Sequence, residues 1–161
     1  EEVTTESDEI LSNDAQSLNE HTRELLPYIL PLIFNPKTIT SAFKPNENVC
    51  NIIQNLGDRG ITNIGFSNVH NDVITHLRKD TYTRNLIDTF DTLYTSHDFK
   101  CLKPDPTCID YIAEKYNTQR KNCILVEPEP HHHYTFKNLG LASILYTDPE
   151  QTSRDIDAML P

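Results

Sequence analysis

The chain has 161 residues, 37% of them apolar, enough for one domain with a real core. Its formal charge of −10 argues against a nucleic-acid or anionic-membrane partner, since neither polyanion attracts it. A small phosphorylated ligand stays open, because it needs only a local positive site.

No run nears the roughly 18 apolar residues of a membrane span, and none reads as a signal peptide. Four cysteines, Cys50, Cys101, Cys108 and Cys123, show neither a CxxC pair nor zinc-ligand spacing. Cys50 and Cys123 lie in apolar runs and read as small core residues. This usage fits a reducing, cytoplasmic compartment. The chain begins at Glu1 and not at Met, which fits a fragment or a processed product.

In chain order, residues 1–20 are acidic and polar and read as a frayed lead-in. Residues 21–34 are apolar, but Pro27 and Pro31 predict a kinked or broken helix. Pro36 to Thr40 reads as a short turn or helix. Val49, Ile52, Ile53 and Leu56 fall on one face of a helix over 45–58. A strand follows at Ile61–Phe66, with Ser67 and Asn68 just beyond it, then a helix over Asn71–Lys79. A helical turn around Leu86 and Ile87 precedes a strand at Thr92–Thr95. A loop from Ser96 to Leu102 leads to Lys103. The remaining pattern is a helix over 106–117, a strand at Cys123–Val126, a helix at Tyr134–Leu139 closed by Gly140, a strand within Leu141–Tyr146 and a weak last helix around Arg154–Leu160. Alternating strands and helices predict right-handed crossovers and a parallel sheet, hence an α/β sandwich with an N-terminal helical appendage.

Ligands of open parallel sheets bind beyond the carboxyl ends of the strands, so the residues at those ends carry the chemistry. Ser67 and Asn68 offer a hydroxyl and an amide to a phosphoryl oxygen; the blander task is capping the next helix. Lys103, restrained by Pro104, can neutralise a phosphate or hold a carboxylate; the blander reading is a solvated loop lysine. Glu127 and Glu129 suit Mg²⁺, a hard cation that takes oxygen ligands, or are simply loop charges. His131, His132 and His133 point in divergent directions, which favours a pH-sensitive surface loop over a transition-metal site.

Taken in order, GFSN at 65–68, LKPDP at 102–106 and ILVEPEP…LGL at 124–141 resemble the second, third and fourth motifs of the haloacid dehalogenase-like hydrolases. Phe43-Lys44-Pro45 is similar to the segment that re-enters the core from a helical cap. The resemblance implies a three-layer sandwich with a parallel Rossmann-like sheet, residues 43–161 forming the core and 1–42 an acidic lead-in with part of a cap. It also implies that Ser67 and Lys103 hold the phosphoryl group, with Asn68 as neighbour, and that an acidic pair in the fourth motif holds Mg²⁺. Where that pair is usually two adjacent aspartates, this chain has Glu127 and Pro128. Glu129 is the other oxygen donor nearby, and His132 stands where an Asn is usual. Mg²⁺ binding is thus expected to be weak or absent.

In such enzymes a first-motif aspartate attacks the phosphate, and a second aspartate two residues on acts as acid and base. Neither is visible here. Phe34-Asn35-Pro36-Lys37-Thr38 can be read as a decayed first motif, but the run continues directly into Phe43-Lys44-Pro45 and reads better as a cap exit. Without the first-motif strand, its neighbours lose backbone partners at about 1–3 kcal/mol per unsatisfied buried group. An upstream segment, residues 1–35 or a second chain would have to cover the gap. The leading expectation is a catalytically impaired domain with a binding or structural role. The alternatives are a Mg²⁺-dependent phosphatase whose nucleophile lies upstream of Glu1, and a protein-interaction module using the acidic N-terminal segment.

Overall fold

The computed structural model describes residues 20–33 and 35–160. The acidic lead-in and Phe34, which opens the decayed-motif reading, lie outside that range. Chain contacts divide the protein after Phe43 into two units.

The first unit holds helix α1 (Glu20–Ile33) and helix α2 (Pro36–Ala42). Of the expected kinked or broken helix, the break does not occur: the helix runs through Pro27 and Pro31. The two prolines are four residues apart, so both missing N–H donors fall on one stripe of the helix and leave the other rows of hydrogen bonds whole. Asn35 caps α2, its side chain accepting from the Lys37 N–H at 2.9 Å.

The second unit, Lys44–Pro161, is α/β. Helix α3 (Glu47–Asp58) opens with Asn46 accepting from the Asn48 N–H at 3.1 Å and buries Ile53. Strand β1 (Ile64–Ser67) follows, then helix α4 (Asn71–Lys79), helix α5 (Thr81–Ile87) and strand β2 (Thr92–Thr95). β1 and β2 pair in parallel, Ile64 opposite Thr92 and Ser67 opposite Thr95. The pair is tied at its start: Asp91 accepts from the Asn63 N–H at 2.7 Å and returns its own N–H to the Asn63 carbonyl at 2.9 Å. Gly65 lies close to its neighbours in β1: a Cβ there would displace the tip of the Leu93 side chain and touch Phe90.

Part of the expected loop after β2 is a single helical turn, α6 (Ser96–Phe99). Helix α7 (Thr107–Lys115) and a 3₁₀ turn at Arg120–Asn122 lead to strand β3 (Ile124–Glu127). Glu127 is therefore the last residue of the strand, not the first of a loop, and Ser67 likewise ends β1. Helix α8 (Pro130–Asn138) begins four residues earlier than the apolar pattern shows, so the histidine run is helical. Strand β4 (Ala142–Leu145) pairs in parallel with β3, Glu127 opposite Leu145. The last helix, α9 (Pro149–Met159), is longer than expected, with Asp148 as its cap.

All strand pairing is parallel, as the alternating pattern predicts. Among the described residues it forms two pairs, β1–β2 and β3–β4. Ile109 of α7, Phe136 of α8 and Leu141 make a buried cluster against which Cys123 and Leu125 pack. Phe66, Tyr94, Phe99 and Tyr111 make an aromatic group beside β1 and β2, with Phe66 and Phe99 edge to face at 4.9 Å.

Candidate active site

The carboxyl ends of β1 and β3 are linked by one side chain. Lys103 reaches from the loop between α6 and α7, and its Nζ lies 2.8 Å from Oε2 of Glu127 at the tip of β3. The lysine side chain is 13% exposed and the glutamate 2%. Neither the solvated lysine nor the solvated loop carboxylate describes this pair. Lys103 Nζ also stands 5.3 Å from the centre of the Phe66 ring, next to Ser67 in β1. A buried carboxylate is stable only when its charge is paired and its lone pairs are filled. Glu127 meets both needs: Oε2 takes the ammonium and Oε1 accepts from the Glu129 N–H at 3.2 Å.

The Lys103 loop is held from the other side by Asn68. The Asn68 Oδ1 accepts from the Lys103 N–H at 2.8 Å, and the Asn68 amide donates to the Lys103 carbonyl at 3.1 Å. Both ends of this carboxamide thus grip the lysine backbone, a different task from the phosphoryl contact expected of it. Capping of α4 falls to His70, whose Nδ1 accepts from the Asp72 N–H at 3.2 Å, so Ser67 has no part in it. At the far end of the loop Asp105 accepts from the Thr107 N–H at 2.9 Å and from its hydroxyl at 2.7 Å. These bonds, the backbone one first, hold the Asp105 carboxyl below its usual range. The Lys103–Pro104 peptide is cis. Cys101 and Cys108 are disulfide-bonded across the loop, a pairing that a seven-residue spacing did not announce.

The two glutamates do not converge as a ligand pair. Glu129 is exposed at the head of α8, and Pro128 offers no donor. Among the described residues no group of three or more His, Cys, Asp and Glu side chains is placed to hold a metal ion. Among the described residues the oxygens of Glu127, the carboxylate that the resemblance assigns to Mg²⁺, are engaged by Lys103 and by the Glu129 N–H.

The three histidines part company along α8. His131 is exposed and His133 is buried, its Nδ1 2.9 Å from the Ser143 hydroxyl of β4. His132 lies between them; its Nδ1 is 3.6 Å from Oε1 of Glu127, too long for a hydrogen bond, and that atom has no other partner. A pH-sensitive surface loop is thus replaced by one surface, one site-facing and one core histidine. Neither the clamp by Asn68 nor the approach of His132 has a local sequence signal; both depend on contacts between distant elements.

A family model described as haloacid dehalogenase-like hydrolase matches residues 4–146. No curated protein matches the chain. Among solved structures, a hydrolase from Streptococcus pneumoniae TIGR4 is similar over 91% of this chain and 72% of its own, at 18% identity and a TM-score of 0.59. An uncharacterized protein from Corynebacterium glutamicum ATCC 13032 Kitasato is similar over 68% of this chain and 78% of its own, at 15% identity and a TM-score of 0.58. At such identities the likeness is one of fold.

Proposed function

We propose, since this chain belongs to the haloacid dehalogenase-like hydrolase family, that it is a catalytically impaired member that keeps a phosphoryl-binding remnant and serves a binding or structural role. The observation that carries the reading is the Lys103–Glu127 ion pair at 2.8 Å. The cation suited to a phosphoryl group and the carboxylate suited to a metal neutralise each other. Pro128 removes the neighbouring donor, and His132 brings a nitrogen, not an amide oxygen, to the same place. Ser67 and Lys103 remain as the grip, with Asn68 positioning the lysine and Glu127 holding its ammonium. Glu129 has no role in this reading.

A small phosphorylated molecule is the ligand class that fits, with a protein partner or second chain as the structural alternative. The net charge of −10 opposes nucleic acid and anionic membranes. Among the described residues no helix is long and apolar enough to cross a membrane, and the Cys101–Cys108 disulfide removes the cysteine argument for a reducing compartment.

Equilibrium dialysis with inorganic phosphate, with and without Mg²⁺, tests the binding half of this reading. Phosphate should bind equally in both, and the double variant Lys103→Met/Glu127→Gln should weaken it at least about tenfold, the worth of one charge-assisted hydrogen bond. Binding that appears only with Mg²⁺ would refute the reading.

A second reading rests on the sheet edges. Each of β1 and β3 has one strand partner among the described residues, and Val126 of β3 is 37% exposed. A further strand, from an upstream segment or a second chain, would pair with such edges and bring its own side chains to the Lys103 site. Under that reading the domain is a Mg²⁺-dependent phosphatase whose nucleophile arrives with that strand.

A further inference from the structure

We propose that Cys101 and Cys108 are a reversible thiol–disulfide modification site that staples the Lys103 loop. The two residues are joined across the arch 102–107, with their Cα atoms 6.7 Å apart, inside the span a disulfide bridges. Cys108 is fully buried in the first turn of α7 and is the fixed end. Cys101 is half-buried in the loop and is the less buried end of the bond. Between them lies the residue on which the site depends. Without the bond the arch is held by the Asn68 hydrogen bonds and by the ion pair to Glu127. With it, the Cys101 stem is fixed to the helix as well.

A disulfide with one cysteine outside the buried core is open to the labile, regulatory kind of exchange, and in reducing compartments such bonds are transient and redox-sensing. The counter-reagent is a small-molecule disulfide. The Cys101 thiolate attacks it, forming a mixed disulfide and expelling one thiol. The Cys108 thiolate then attacks the Cys101 sulfur and expels the second thiol. Two protein thiols are oxidised by two electrons, and one small disulfide is reduced to two thiols that carry away both protons. The remaining cysteines serve as internal controls. Cys50 and Cys123 are the free thiols, and burial pushes both toward the protonated, unreactive form.

The full chain is equilibrated across a series of reduced-to-oxidised glutathione ratios, quenched in acid, denatured and alkylated with N-ethylmaleimide. Intact mass should pass from four labels to two, with the protected pair mapping to a linked Cys101–Cys108 peptide. Hydrogen exchange at the amides of Lys103, Asp105 and Thr107 should slow about threefold or more on oxidation. The variant Cys101→Ser, altered at the loop end of the pair, should lose both responses. Four labels at every ratio, a linkage through Cys50 or Cys123, or loop amides that exchange alike in both states would overturn the proposal. Phosphate binding is not a readout here, so failure of the proposed function leaves this test intact.

Discussion

A lysine ammonium 2.8 Å from a carboxylate that is 2% exposed carries a definite energetic liability. Removing one member of such a pair leaves the other buried and charged, which costs about 3–5 kcal/mol in buried cases. Lys103→Met should therefore destabilise the protein by about 3 kcal/mol, the low end of that range, because the lysine is itself partly exposed. Adding Glu127→Gln removes the stranded charge and should recover at least half of the loss. Urea unfolding midpoints of the two variants check this. A Lys103→Met protein as stable as the parent would mean that the pair contributes nothing to the fold. The sequence alone could place Lys103 and Glu127 at strand and loop ends. It could not show that they meet, because the contact joins residues 24 apart in the chain. Nor could it show that Asn68 spends both ends of its amide on the lysine backbone.

At the scale of elements, helix starts were legible where a cap and an apolar period agree. α4 spans Asn71–Lys79 and β2 spans Thr92–Thr95 as the pattern predicts. Two of the misplaced boundaries involve polar residues that are buried through tertiary contact. Glu127 ends β3 because Lys103 offsets its charge. His133 turns inward in α8 because Ser143 satisfies its ring. Proline acted in two directions: Pro130 and Pro149 sit at first-turn positions, where a missing N–H is harmless. Pro27 and Pro31 lie inside α1 without ending it.

A cap, a turn and an ion pair also contribute to the acid response. The Gln151 N–H holds the Asp148 carboxyl below its ordinary value of 3.8, as the Thr107 N–H does for Asp105 and the Arg120 guanidinium does for Asp110. A carboxylate depressed in the folded state contributes stability above its unfolded value, and that stability is lost as pH falls through the folded value. The melting temperature should thus hold steady above about pH 5 and drop below about pH 4. Asp148→Asn keeps a capping oxygen but no longer titrates, so its melting temperature should change less between pH 5 and pH 3. An unchanged acid drop in that variant would remove Asp148 from the account.

The whole molecule combines a family fold with a buried ion pair at the strand tips. The family match over residues 4–146 and the parallel pairing of every strand among the described residues place the chain in the α/β architecture that its motif order indicates. Ordered motifs were readable because they punctuate strand ends. The state of the site was not, because it depends on which charges pair after folding. Lys103 reaches across from the β1 side to the tip of β3 and meets Glu127. The same loop carries the paired cysteines, and the position of the ammonium is set by an amide and a carboxylate.

The most direct test of the central claim is phosphate release from a generic phosphate monoester, measured with Mg²⁺ on the protein and on the folded Lys103→Met/Glu127→Gln variant. The account predicts no release above the variant's background. Mg²⁺-dependent release by the parent protein that the double variant lacks would contradict it and establish a working phosphatase.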